Sequence, residues 1–244
     1  MRGLKALLIT IVTVLAVATP AALSQRDNNR LFPVYDNGGK PDLVVDPQRF
    51  VSQMEIVDRN FDNDPCAVEA GAVGAKGYRR LLRFDTVVMN SGDGDLIVGD
   101  RSDPKNPYAK WFESSPCHDH AHIRDFSLYE LLNADRTVVI AAHKQGFCIE
   151  DSLKYDGDKS NGYNSAFQGI TSGWADWNFK QLTGQWIDIT GVPEGDYIVR
   201  VSINTSGAFD EGSNKYVNSV ETSIHIPNAH KKILVDNSPP VNGK

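Results

Sequence analysis

Short stretches in which apolar side chains alternate with polar ones recur along this chain, separated by turn-forming residues. Asp42-Leu43-Val44-Val45-Asp46 begins the pattern, and Phe50 to Val57 reads as a second strand. Asn60 to Gly77 is rich in Gly, Asp and Ala and reads as a long connection. Leu81 to Met89 follows as one strong strand, then turn chemistry from Asn90 to Asp95, then Leu96 to Val98. Beyond a Pro-containing connection lie His118 to His122, Phe126 to Leu132 and Thr137 to Ala142, the last two joined through Asn133-Ala134-Asp135-Arg136 as a hairpin loop. Trp186 to Ile189, Tyr197 to Ile203 and Val220 to Ile226 close the series. No segment carries a sustained helical stripe with caps. Many short strands at regular spacing predict an all-β fold, an antiparallel β-sandwich with long loops.

The ends depart from this pattern. Arg2 and Lys5 precede an apolar run from Leu7 to Ala18, and Ala22-Leu23-Ser24 offers small residues for cleavage before Gln25, so residues 1–24 read as a secretory signal peptide. The alternative, a membrane anchor, is disfavoured because the run is short and Pro20 ends it. Residues 25–41 read as a mobile N-terminal arm, 42–230 as the β-sandwich and 231–244 as a C-terminal tail, frayed from Asn237 onward. No other stretch is apolar and long enough to span a membrane. Loss of Arg2 and Lys5 with the leader takes the formal net charge from −6 to −8. An acidic surface argues against nucleic acid and favours cationic partners.

Three cysteines, Cys66, Cys117 and Cys148, entering an oxidising compartment suggest one disulfide and one remaining thiol; spacing alone does not choose the pair. Asn204-Thr205-Ser206 is a glycosylation sequon. The most informative segment is Cys117-His118-Asp119-His120-Ala121-His122. On a strand alternate side chains share a face, so His118, His120 and His122 project together while Asp119 and Ala121 point away. Three imidazoles aimed at one point serve a divalent metal, zinc or copper, better than they serve packing; the rival is three solvated histidines on an edge strand.

The surroundings of that triplet resemble a known family. CHDHAHIRDFSLYELL, HKQGFCIED, QGITSGWAD and QWIDITGVPEGDYIVRVSIN, with DPCAVEAG and YRRLLRF upstream, are similar in order and spacing to the lysyl oxidase catalytic domain, across roughly Asp42 to Pro227. The resemblance implies that His118, His120 and His122 are copper ligands. It pairs Cys66 with Cys117 and leaves Cys148 a free, buried thiol, because its usual partner, near Tyr163, is missing. It matches Lys144 to the lysine from which the family builds a quinone, and Asp176 to a candidate base for proton abstraction. The implied activity is copper-dependent oxidative deamination of primary amines, peptidyl lysine among them, to aldehydes, with release of ammonia and hydrogen peroxide.

One position departs from the family. The tyrosine that joins the lysine is replaced by Asn178, whether one counts forward from Gly169-Ile170 or back from Gln185-Trp186. A quinone needs an oxidisable ring, which an amide is not, and without a carbonyl electron sink a primary amine cannot form the Schiff base that acidifies its α-hydrogen. Three readings follow. Another ring, Trp177 foremost, takes the tyrosine's place, although strand alternation sends Trp177 to the opposite face from Asn178. Or the chain is a secreted copper-binding protein of the same fold without quinone or amine oxidase activity. Or it is a zinc-binding or metal-free extracellular interaction domain.

Overall fold

In this computed structural model residues 39–114, 120–142, 146–212, 218–228 and 234–238 are described. The expected leader (1–24), almost all of the arm and the end of the tail fall outside them, as do Cys117, His118, Asp119 and Lys144.

The chain opens with β1 (Leu43–Val45), α1 (Pro47–Ser52), β2 (Glu55–Asn60), α2 (Pro65–Glu69), β3 (Tyr78–Arg83), β4 (Thr86–Asn90) and β5 (Leu96–Gly99). A 3-10 turn at Ala109–Trp111 leads into β6 (Phe112–Ser114), β7 (Ala121–Ile123), β8 (Ser127–Leu132) and β9 (Val138–Ala142). The remainder comprises β10 (Leu153–Lys154), β11 (Gln168–Ile170), β12 (Trp174–Asn178), β13 (Trp186–Asp188), β14 (Gly195–Ile203), β15 (Ser219–Ile226) and β16 (Leu234–Asp236). Three four-stranded sheets run in the orders β1-β4-β12-β10, β13-β3-β2-β16 and β15-β14-β8-β9, and β11-β5 and β6-β7 form two-stranded ribbons. The pairings are antiparallel except that of β16 with β2. The all-β expectation holds.

Alternation decides which face each strand buries. On β14, Tyr197, Val199, Val201 and Ile203 enter one large core, and Val45, Leu82, Val88, Tyr129, Leu131 and Ile187 from all three four-stranded sheets meet them there. Intervening residues on the same strands serve smaller clusters: Leu81 packs with Val57, Phe61 and Trp186, and Val87 and Met89 pack with Val44 and Ala175. Each fully buried large apolar side chain contributes about 1.5–3 kcal/mol, so these clusters hold the sheets together.

Three local expectations are corrected. Phe50 lies in a helix, not a strand: the Asp46 carboxylate accepts from the N–H groups of Gln48 and Arg49, and Pro47 takes the first helical position. The single strand Leu81–Met89 is two, broken at Phe84-Asp85. Phe84 stacks edge-on against Phe50 and Tyr129, and the buried Asp85 carboxylate accepts from the Trp177 indole and the Lys180 backbone, which turns the chain from one sheet into another. The histidine strand, within the described residues, is short: β7 begins at Ala121, and His120 lies in the bend before it. Past residue 230, β16 adds a strand that the pattern did not signal, held by the ion pair of Asp236 with the buried Arg83.

The sequon folds inward. The Asn204 side chain donates to the Phe209 carbonyl and to Glu211, accepts from the Phe209 N–H and is only 9% exposed, so in the folded chain its amide offers no room for a glycan.

Candidate metal centre

The two described histidines of the triplet converge. Nε2 of His120 and Nε2 of His122 lie 3.0 Å apart, with ring centroids 4.9 Å apart. Without an ion, that spacing is an N–H···N hydrogen bond between neutral rings. With one, an ion at the ordinary metal–nitrogen length of about 2.0–2.1 Å reaches both. The donor set therefore fits a metal that takes imidazole. Among the described residues no group of three or more His, Cys, Asp or Glu side chains converges in this way. His118 lies outside them.

Three contacts locate β7. On one edge it pairs with β6, which sets Glu113 opposite His122. Partial desolvation, then the neighbouring Asp125 charge, hold the Glu113 carboxyl above its ordinary value. On the other edge a single bridge joins Ile123 to Phe147, with N–H···O distances of 2.8 and 3.2 Å. Gly146 passes so near that a Cβ there would stand 2.7 Å from His122 Cβ and 3.0 Å from the Glu113 carboxylate. The third contact is the buried Gln168. Its Nε2 donates to the Ala121 carbonyl (2.8 Å), and its Oε1 accepts from the Ile149 N–H (3.1 Å). Gln168 opens the QGITSGWAD block and is expected there to serve packing and loop hydrogen bonds; its aim at Ala121 depends on backbone geometry that the block does not reveal.

The segment Phe147–Ile149 also borders β12. Burial first, then the charges of Glu150 and Asp176, push the Cys148 thiol up to about 12. Cys148 is free and half-buried, as expected of an unpartnered thiol, whereas Cys66 is disulfide-bonded. Only the thiolate reacts, so alkylation of Cys148 by iodoacetamide in the folded chain is expected to keep climbing about tenfold per pH unit above pH 9. A plateau near pH 9, where an ordinary thiol levels off, would contradict this environment.

On β12, Asp176 and Asn178 share the inward face, 3% and 8% exposed, and Asn178 Nδ2 donates to Asp176 Oδ2 at 2.9 Å. Asn178 pairs in register with Thr86, whose hydroxyl lies 2.9 Å from the Tyr129 phenol and accepts from Gln185 Nε2. Burial raises the Tyr129 phenol above its ordinary value. Trp177 points the other way. It packs against the Val44, Val87, Met89 and Ala175 cluster, its indole donates to Asp85 (2.8 Å), and the Arg49 guanidinium lies 4.6 Å over its ring. It is turned away from Asp176 and Asn178.

A family profile described as "Lysyl oxidase" matches residues 41–236. "Lysyl oxidase homolog 2" from Homo sapiens is 35% identical over 192 residues, covering 74% of this chain and 24% of that protein. "Protein-lysine 6-oxidase" from Homo sapiens is 34% identical over 211 residues, covering 80% of this chain and 48% of that protein. The chain thus spans about a quarter of the length of the first relative and about half of the second. Among the described residues no helix is long and apolar enough to cross a membrane.

Proposed function

The chain belongs to the lysyl oxidase family, and from that premise we propose that it is a secreted copper protein working on primary amines, peptidyl lysine included. The observation that carries this reading is the 3.0 Å approach of the His120 and His122 Nε2 atoms. His118, His120 and His122 are the proposed copper ligands, and a Cys66–Cys117 disulfide would anchor the chain just before the first of them. Held there, a copper ion would supply redox chemistry with oxygen. The chain's own residues would bind and orient the amine: Asp176, buried beside Asn178, is the proposed base at the α-carbon of an amine already joined to a carbonyl electron sink, and the acidic chain favours approach of cationic amines.

The lysine–tyrosine quinone of the family does not fit. Position 178 holds an amide aimed at Asp176, and Trp177, one of the two rings beside it in sequence, is engaged on the opposite face. This observation favours a second reading, a copper-binding protein of the same fold that does not oxidise amines. One experiment separates the two. Purified protein is loaded with copper, its metal content and electron paramagnetic resonance spectrum are recorded, and phenylhydrazine is added after incubation in air. Stoichiometric copper with a coloured adduct establishes the amine oxidase. Copper without an adduct establishes the binding protein. No copper uptake removes both.

A further inference from the structure

The link between the histidine strand and the segment after Lys144 is thin. β7 has three residues, and its contact with Phe147 is a single bridge. Gln168 reinforces it. The register of β11 against β5 shifts between Gln168 and Gly169, an irregularity of the kind that re-aims a side chain. Gly169 permits this: a Cβ there would fall 2.3 Å from the Leu96 carbonyl oxygen and 2.5 Å from the Tyr163 ring. The Gln168 amide, 1% exposed, then bridges two backbones. It donates to the carbonyl of Ala121, the residue between the two histidines, and accepts from Ile149, while the Gly169 N–H donates to the Ile149 carbonyl (3.0 Å). Gln168 and Gly169 therefore grip both polar groups of Ile149 and, through one side chain, the peptide joining His120 to His122.

We infer that Gln168 is a positioning residue for the metal: its carboxamide fixes the His120–His122 backbone against the segment that follows Lys144, so that both Nε2 atoms address one ion. This rests on the copper reading above. It is distinct from packing, because an apolar side chain of similar size fills the same space without holding the Ala121 carbonyl, and disturbing groups that orient metal ligands costs about 10–100-fold in affinity.

The test compares the full chain with Gln168→Leu and Gln168→Glu. Copper(II) affinity is measured by chelator competition, the hyperfine splitting by electron paramagnetic resonance, and folding by circular dichroism and melting temperature. Gln168→Leu keeps the bulk and loses both hydrogen bonds. Gln168→Glu keeps an acceptor for Ile149 but loses the donor to Ala121. Both are expected to bind copper about 10–100-fold more weakly, with an altered hyperfine splitting. If Gln168→Leu does not fold, Gln168→Glu decides alone. Parental affinity and spectrum in a folded variant overturn the inference and leave the copper reading intact. A parent chain that takes up no copper overturns both.

Discussion

The substitution Asn178→Tyr is expected to give a chain that forms a coloured adduct with phenylhydrazine after copper loading in air. Asn178 occupies the buried inward face of β12, two residues beyond Asp176 and beside Thr86. A phenol there supplies what the amide cannot, a ring that copper and oxygen can oxidise. The cost is steric. The larger ring enters a packed site and displaces the Asn178–Asp176 hydrogen bond, a change of about 1–3 kcal/mol. In a chain of this size that lowers the melting temperature by roughly 2–4 °C per kcal/mol, which a folded domain can survive. Asn178→Phe separates the contributions, since it carries the same bulk without the hydroxyl and is expected to give no adduct. Lys144→Met combined with Asn178→Tyr is expected to give none either. A folded, copper-loaded Asn178→Tyr protein that stays colourless would show that position 178 is not where the family's ring acts in this chain. A parent chain that already forms the adduct would show that another ring serves.

Much of the architecture could be read from periodicity, and each exception has its own physical cause. β14 and β15 announce themselves because one face of each is wet enough to leave an alternating record, as in the Tyr197-Ile198-Val199-Arg200-Val201 run of β14. The break between β3 and β4 left no such record. Leu81, Leu82, Val87 and Val88 are all buried, since both faces of their sheets are covered, and a continuous apolar run conceals the corner at Phe84-Asp85. Helix α1 did carry a signal, the Asp46-Pro47 start, but six residues are too few for a helical stripe to outweigh Phe50 and Val51. β16 depends on a distant partner: Asp236 meets Arg83, and nothing within three residues of sequence foretells it.

The site divides along the same line. Alternate histidines are a local pattern, and His120 and His122 approach each other although only His122 lies within β7. The opposed faces of Trp177 and Asn178 follow from the same period of two. Gln168 does not, because its amide meets Ala121 only through a shifted register and a glycine that tolerates a backbone carbonyl at its side. Glu113 is similar: its place opposite His122 exists only once β6 and β7 are paired.

His120→Ala is expected to lower copper affinity by at least about a hundredfold, beyond the upper end of the range for disturbing a mere outer partner. His120 is the instructive choice among the three. His122, half-buried like His120, belongs to β7 and lies against Gly146 and opposite Glu113, so its truncation would leave a gap against the Phe147 segment and confuse a packing loss with a ligand loss. His120 lies in the bend before the strand, half-buried, with its ring against His122 rather than in the large core. Its removal therefore costs little folding energy, within about 1 kcal/mol for a site outside the core, and the change in copper affinity reports the ligand itself. Chelator competition and electron paramagnetic resonance on the folded variant measure this directly. His120→Ala with copper affinity within a factor of three of the parent would mean that the 3.0 Å approach of the two rings is only a hydrogen bond between imidazoles, and that the family's metal site has been lost along with its tyrosine.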